Sequence, residues 1–198
     1  IGGTSTRDCA GMCSGENNCS VYDIDGHGYT TTIIGTQEWL VQNLKTTKYN
    51  NSESISTGHS NLAWSELSTG AFAIFPYNND EEMIEISCEG DCSIEYGNLY
   101  NWYAITDERN ICPEDWHIPS DEEWQLLITY LGDNVNMKLK ELGFEHWDDW
   151  DSNLATNESG FTALPGGYRH GGAEPIKLGK YFNLSQIAYF WSTSTLED

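Results

Sequence analysis

The stretch from Tyr96 to Gly132, YGNLYNWYAITDERNICPEDWHIPSDEEWQLLITYLG, constrains this chain more than any other. Its last third is the clearest helix in the sequence. Ser120 stands at the N-cap, and Glu123 completes an S-x-x-E capping box, so two otherwise orphaned amides find side-chain oxygens. Asp121, Glu122 and Glu123 place negative charge on the positive end of the helix dipole. Trp124, Leu127, Ile128 and Leu131 recur at helical spacing and predict one apolar face. Gly132 supplies the stop. Ahead of the helix, Tyr96, Tyr100, Trp102 and Tyr103 read as a core strand or tight turn, and residues 110–119 as a compact loop feeding the helix.

Around this hub the pattern alternates between short strands and irregular polar chain. Asp25-Gly26 is a hairpin turn between Val21 and Tyr29. The opening D-x-D-G also invites a calcium-loop reading, but the later acidic positions such a loop needs are missing, and the turn is preferred. Residues 29–34 are rich in β-branched side chains, Gly35-Thr36 makes a second turn, and residues 37–44 carry Trp39, Val41 and Leu44. Phe72 to Tyr77 reads as a core strand. Residues 78–91 are an acidic insertion. A short second helix is expected over about 135–142, ending at Gly143. Phe161–Leu164 reads as a strand, Pro165-Gly-Gly as a turn, and Tyr181–Phe182 and Ala188–Thr193 as late core strands. Aliphatic content is modest, so the eight Trp, eleven Tyr and six Phe do much of the packing.

Three separated segments carry a resemblance: GNLYNWYA (97–104), CPEDWHIPSDEEW (112–124) and ATNESGFTALPGGYR (155–169). Together, and in this order, they resemble the Fibrobacter succinogenes major paralogous domain, a family abundant in secreted and surface proteins of Bacteroidetes-like bacteria. The resemblance runs from about Asp23 to the chain end. That family is similar to the C-type-lectin-like and formylglycine-generating-enzyme folds. The implied fold is therefore α+β: a C-type-lectin-like domain of twisted antiparallel strands with one main capped helix over about 120–131 and much irregular structure. Residues 1–20 read as a Cys-rich linker or cap and 21–198 as the domain. The family usually continues with further strands after an aromatic-Trp-Ser motif, so the last strands are expected to be missing, leaving a sheet edge open to another chain.

Nine Lys and Arg against 31 Asp and Glu give a net charge of −22. Such a surface repels phosphate backbones and anionic bilayers, which argues against nucleic acid as a partner. No apolar run approaches the roughly 20 residues that span a bilayer, so no membrane insertion is expected. Six cysteines suggest an oxidising compartment, and disulfides are preferred over zinc because no His stands at a ligand-like offset. Cys9, Cys13 and Cys19 form one cluster and Cys88, Cys92 and Cys112 another. Pairing is expected within clusters, Cys88–Cys92 first, with one cysteine of each triplet left for a longer link. With no initiator Met or signal peptide, the chain reads as a mature or trimmed secreted product.

No constellation argues for catalysis. Cys112, five residues before His117, is surrounded by Glu114, Asp115, Asp121 and Glu122, the reverse of what lowers a thiol pKa. The resemblance instead makes Cys112–His117 a structural turn with Trp116 buried. The five His are scattered singly. Asp148, Asp149, Asp151, Asn153, Asn157 and Glu158 form an oxygen-rich segment. It reads as a solvated loop or, in second place, a calcium site of the kind that stabilises loops in lectin-like folds. Trp147, Trp150 and Tyr168 are candidates for stacking on a sugar or anchoring a protein. Arg169 is either a structural anchor paired with a carboxylate or a ligand-facing group, the anchor preferred.

The expected function is a secreted, non-enzymatic binding or structural module of a surface protein, fibre or appendage, serving adhesion or recognition. Its partners would be a glycan, a protein or neighbouring fibre subunits. The alternative is a secreted enzyme acting on surface polymers through clustered carboxylates, for which chain proximity alone sets no distance between the acids.

Overall fold

A computed structural model describes residues 21–76, 88, 91–148, 154–172 and 177–195. Over these the protein is α+β. Short antiparallel strands form four pairs, each two strands wide, and five helices and long irregular segments pack between them.

The first two pairs are the hairpins their turn residues announce. β1 (Val21–Tyr22) meets β2 (Gly28–Tyr29), and β3 (Thr31–Ile34) meets β4 (Gln37–Leu40) with Ile34 opposite Gln37. Gly35 in the second turn has φ +64°, and the Tyr130 ring lies 3.0 Å from where a Cβ would stand. Both the backbone and the space therefore require glycine there. In the first turn the Asp23 carboxylate organises the loop. Its Oδ1 accepts the amides of Asp25 and His27 at 3.0 and 2.9 Å, and its Oδ2 accepts the Tyr29 hydroxyl at 2.6 Å and lies 3.0 Å from His27 Nδ1. Asp25 accepts from Thr47 and pairs with Lys48 at 2.8 Å. Both acids of the D-x-D-G run are thus turn-building groups.

The hub matches its signals at the helix and differs before it. α1 is Asn61–Ser65. The aromatic run resolves into helix α2 (Ser93–Tyr96), strand β6 (Leu99–Tyr100) and helix α3 (Trp102–Ile105), the last capped by Asn101, whose carboxamide accepts the Ala104 amide. β6 pairs with β5, which is Phe72–Ala73 only; residues 74–76 are irregular and Tyr77 lies outside the described residues. The main helix, α4, is Asp121–Leu131, with both halves of the Ser120–Glu123 capping box formed and Gly132 at φ 67°. Leu127 and Leu131 are buried and Trp124 is half-buried, but Ile128 points outward. Ser120→Ala removes the bond to the Glu123 amide and is expected to lower stability by about 1 kcal/mol. A matched pair of urea titrations checks this.

Helix α5 (Val135–Leu139) stops short of residue 142, because Lys140 turns extended and bridges Ala163. Phe161–Leu164 is not a strand: Thr162 sits at φ 58°, which a ladder does not accommodate. The strand begins where a turn was expected, at β7 (Gly166–Arg169), paired with β8 (Tyr181–Leu184). Gly167, at φ 61°, permits this because a side chain there would run into the backbone of Phe182 and Leu184. Residues 188–193 form no strand either. Two apolar cores flank the Cys-Pro loop and α4. One gathers Tyr49, Ile55, Phe72, Tyr100, Ile111 and Cys112, with a half-buried Trp116 and Ile118 against it; the other gathers Ile34, Trp39, Leu127, Leu131 and Phe161, with Trp124 against it.

Candidate functional site

Between these two cores lies a cleft of about 200 Å³. Six parts of the chain line it, within residues 38–44, 96–105, 112–119, 124, 161–167 and 189–191. β4 contributes Trp39, the Cys-Pro loop contributes Trp116, His117 and Ile118, α4 contributes Trp124, and the segment before the C-terminus contributes Tyr189, Phe190 and Trp191. The rings interlock. Trp39 and Trp124 have centroids 4.7 Å apart, and Phe190 sits 5.6 Å from Trp124 and 5.3 Å, edge-on, from Phe161. Such aromatic pairs hold their geometry beyond what area burial alone supplies.

Hydrogen bonds fix the 187–195 segment across the mouth. Trp191 donates from Nε1 to the Tyr100 carbonyl at 2.9 Å, and its own carbonyl accepts Trp124 Nε1 at 3.1 Å. The Thr193 amide donates to the Pro119 carbonyl at 2.9 Å, and Ser194 Oγ accepts the Asp121 amide at 2.9 Å. Tyr189, Phe190 and Trp191 nevertheless stay 53%, 41% and 44% exposed. The lining holds one carboxylate, Glu38, and one imidazole, His117, with no Lys or Arg. Trp39 Nε1 and Asn98 Oδ1, on two lining residues, are buried without a hydrogen-bond partner. The arrangement can bind and stack; among the described residues it pairs no nucleophile with a base.

The cleft's thiol illustrates the last point. Cys112 lines it but is buried and free, and burial pushes its pKa up to about 12. It serves in the Cys-Pro turn, where its amide bonds Asn110 Oδ1 and its carbonyl accepts Asn50 Nδ2. It takes no part in the longer disulfide link expected for one cysteine of its triplet. Native protein at pH 8 is expected to react with a maleimide at Cys112 at least about a thousandfold more slowly than an open thiol, and quickly once unfolded in urea. Mass spectrometry of the labelled peptide reads this directly. Cys88 and Cys92 are joined by a disulfide, while Cys9, Cys13 and Cys19 lie outside the described residues.

The residues expected to bind ligand are placed differently. Trp147 is 6% exposed, donates from Nε1 to the Ala163 carbonyl at 3.1 Å and lies under Lys140, so it is a core residue with no face to offer a sugar. Tyr168 is half-buried, stacked on Phe182 and edge-on to Tyr189. Arg169 lies over the Trp64 and Tyr181 rings and donates to the carbonyls of Gly179 and His59, both at 2.8 Å. It is an anchor, held by carbonyls and ring faces instead of the expected carboxylate. Trp150 lies outside the described residues.

The oxygen-rich segment does not assemble as a cation site among the described residues. Asn157 is committed to its own loop, accepting the Thr162 amide at 3.0 Å and donating to Thr162 Oγ1 at 2.9 Å. Asp148 and Glu158 are exposed and join no ligand cluster, and Asp149, Asp151 and Asn153 lie outside the described residues. The described acids that do converge are Glu141 and Glu145 with His146, an arrangement the scattered histidines did not suggest. His146 Nδ1 lies 2.9 and 2.8 Å from the two Glu141 oxygens, a contact that closes the loop between them.

Sequence reasoning missed the cleft because its parts are far apart in the chain. One signal was available. Tyr189-Phe190-Trp191 puts three aromatics in a row, and a strand alternates its faces, so at least one ring had to leave the core.

No curated protein and no solved structure matches the chain. The family model described as the Fibrobacter succinogenes major domain matches residues 33–198, which include every residue that lines the cleft. The chain belongs to the Fibrobacter succinogenes major domain family.

Proposed function

We propose that this domain is a non-enzymatic recognition module, displayed outside the cell on a surface protein, fibre or appendage, with the aromatic cleft as its binding face. The carrying observation is the cleft itself: about 200 Å³ walled by interlocked rings, with Tyr189, Phe190 and Trp191 left partly in solvent at its mouth. Large aromatics held rigid by their neighbours lose little entropy on binding and are the residues that anchor sugars and protein partners. The burial of Cys112 and the raised pKa of its thiol favour binding over thiol chemistry. The Cys88–Cys92 disulfide supports an oxidising, secreted setting. In this reading the domain is of the C-type-lectin-like kind, with its hairpins and the α4 helix as a rigid scaffold that presents surface.

A glycan array and a pull-down from surface extracts, each run with the native domain and with Tyr189→Ala, test the reading. Binding on either that drops in the variant is expected. A domain that binds nothing on both, or whose binding ignores the cleft substitution, refutes it. Polymerisation of the isolated domain together with silence on both assays would identify a fibre subunit instead.

A further inference from the structure

The ligand class is narrowed by the segment that crosses the cleft, an inference that rests on the cleft being the recognition face. Among the described residues, Ala188–Ser192 makes no backbone-to-backbone hydrogen bond, although both flanks are held. The Ile187 carbonyl accepts the Gly167 amide at 3.0 Å and the Thr193 amide donates to Pro119 at 2.9 Å. Residues 187–192 contain no helix, strand or turn. Only the Trp191 carbonyl is occupied, by the Trp124 indole. A fixed stretch of otherwise unpaired amides and carbonyls is a template for an added strand. The aromatic cleft beside it is the pocket that a side chain of such a strand would enter.

Charge then selects the partner. The chain as a whole carries −22, and among the described residues the lining has no Lys or Arg to offset it. An anionic ligand is repelled, and so is a second copy of this chain; a cationic segment is attracted. A neutral glycan would use the rings but gain nothing from the charge, and its scattered hydroxyls do not repeat at the spacing of a strand's amides and carbonyls.

We propose that the cleft binds an extended cationic peptide segment of another protein, laid along residues 188–192, with an apolar side chain among Trp39, Trp124 and Phe190 and Lys or Arg drawn by the chain's negative charge. The main-chain bonds would supply affinity that is largely indifferent to sequence, and the aromatic cleft and the charge would supply the choice.

The test uses the intact protein and a displayed library of short random peptides. Enriched peptides are expected to place an apolar residue next to Lys or Arg. The synthetic form of one such peptide is then N-methylated at successive positions. Methylation in the register facing the protein is expected to weaken binding about tenfold, and in the other register hardly at all. Raising salt and Tyr189→Ala each weaken binding several-fold, while Leu142→Ala on the exposed surface leaves it unchanged; thermal melts confirm that the variants fold.

Methylation without effect in either register overturns the proposal whatever the variants do. No enriched peptide, with glycans that bind and are lost in Tyr189→Ala, overturns the peptide and leaves the recognition face standing. No binding to either probe removes both. A concentration-dependent dimer in sedimentation that Tyr189→Ala abolishes makes the occupant a second copy and also overturns the proposal.

Discussion

Asp23→Ala is expected to lower the stability of the domain by about 3–5 kcal/mol, the cost of breaking a buried, fully bonded charge network. The Asp23 side chain is 1% exposed, and both of its oxygens are engaged. Oδ1 closes the turn by accepting two backbone amides, and Oδ2 receives the Tyr29 hydroxyl. Tyr29 is itself 1% exposed, and its oxygen also accepts the Lys45 amide at 3.0 Å, so the hairpin is tied to the chain leaving β4. Alanine would leave the Tyr29 hydroxyl and the two turn amides without their partner in a place water reaches poorly. Asp23→Asn keeps the size and can still accept both turn amides through its oxygen, but its NH₂ faces the Tyr29 hydroxyl in place of an acceptor. It is expected to recover less than half of the loss. Urea titrations of the three proteins give the ordering directly. An alanine variant within about 0.5 kcal/mol of the native protein would mean that the turn holds without its carboxylate, as surface substitutions usually do.

What could be read from the sequence was local, and what could not was assembled at a distance. Ser120, Glu123 and Gly132 specify α4 through bonds that span three or four residues, so the capping box appears as expected. Asp25-Gly26 and Gly35-Thr36 specify their hairpins the same way. The failures have a common cause in tertiary contacts that override local preference. Tyr-Phe-Trp at 189–191 has high strand propensity, yet Trp191 is held by Tyr100 and Trp124 and the Thr193 amide by Pro119, which leaves no strand partner alongside. Thr162 is β-branched but is turned to positive φ by the two bonds from Asn157. Trp147 reads as a sugar platform because it stands in an acidic run; its burial follows from the Ala163 carbonyl, which nothing near residue 147 in the sequence reveals. The cleft needs residues 39, 116, 124, 161 and 190 at once, so no window of the sequence contains it.

Arg169 gives the second large effect and separates scaffold from ligand site. Arg169→Ala is expected to cost about 2–4 kcal/mol, because two charged hydrogen bonds and the packing on two rings disappear together. The guanidinium fastens three parts of the chain: β7, which carries it; the turn at Gly179, whose carbonyl it binds; and the entry to α1, where it binds the His59 carbonyl and lies over Trp64. Those last two parts touch so closely that any side chain at Gly179 would meet the Asn61 backbone. Among the described residues no carboxylate pairs with Arg169, and burial lowers its pKa, so the carbonyl dipoles and ring faces are what stabilise the charge. Arg169→Lys tests that geometry. An ammonium has no flat face to lie between Trp64 and Tyr181 and cannot point fixed donors at two carbonyls on different segments, so the lysine variant is expected to lose at least half as much stability as alanine. Were Arg169 a ligand-facing group, both variants would melt with the native protein and differ only in binding. Thermal and urea unfolding of the pair, compared with their retention of any ligand found for the cleft, therefore decides between the roles. Instability with binding retained at temperatures below the melt assigns Arg169 to the scaffold on which the cleft is built.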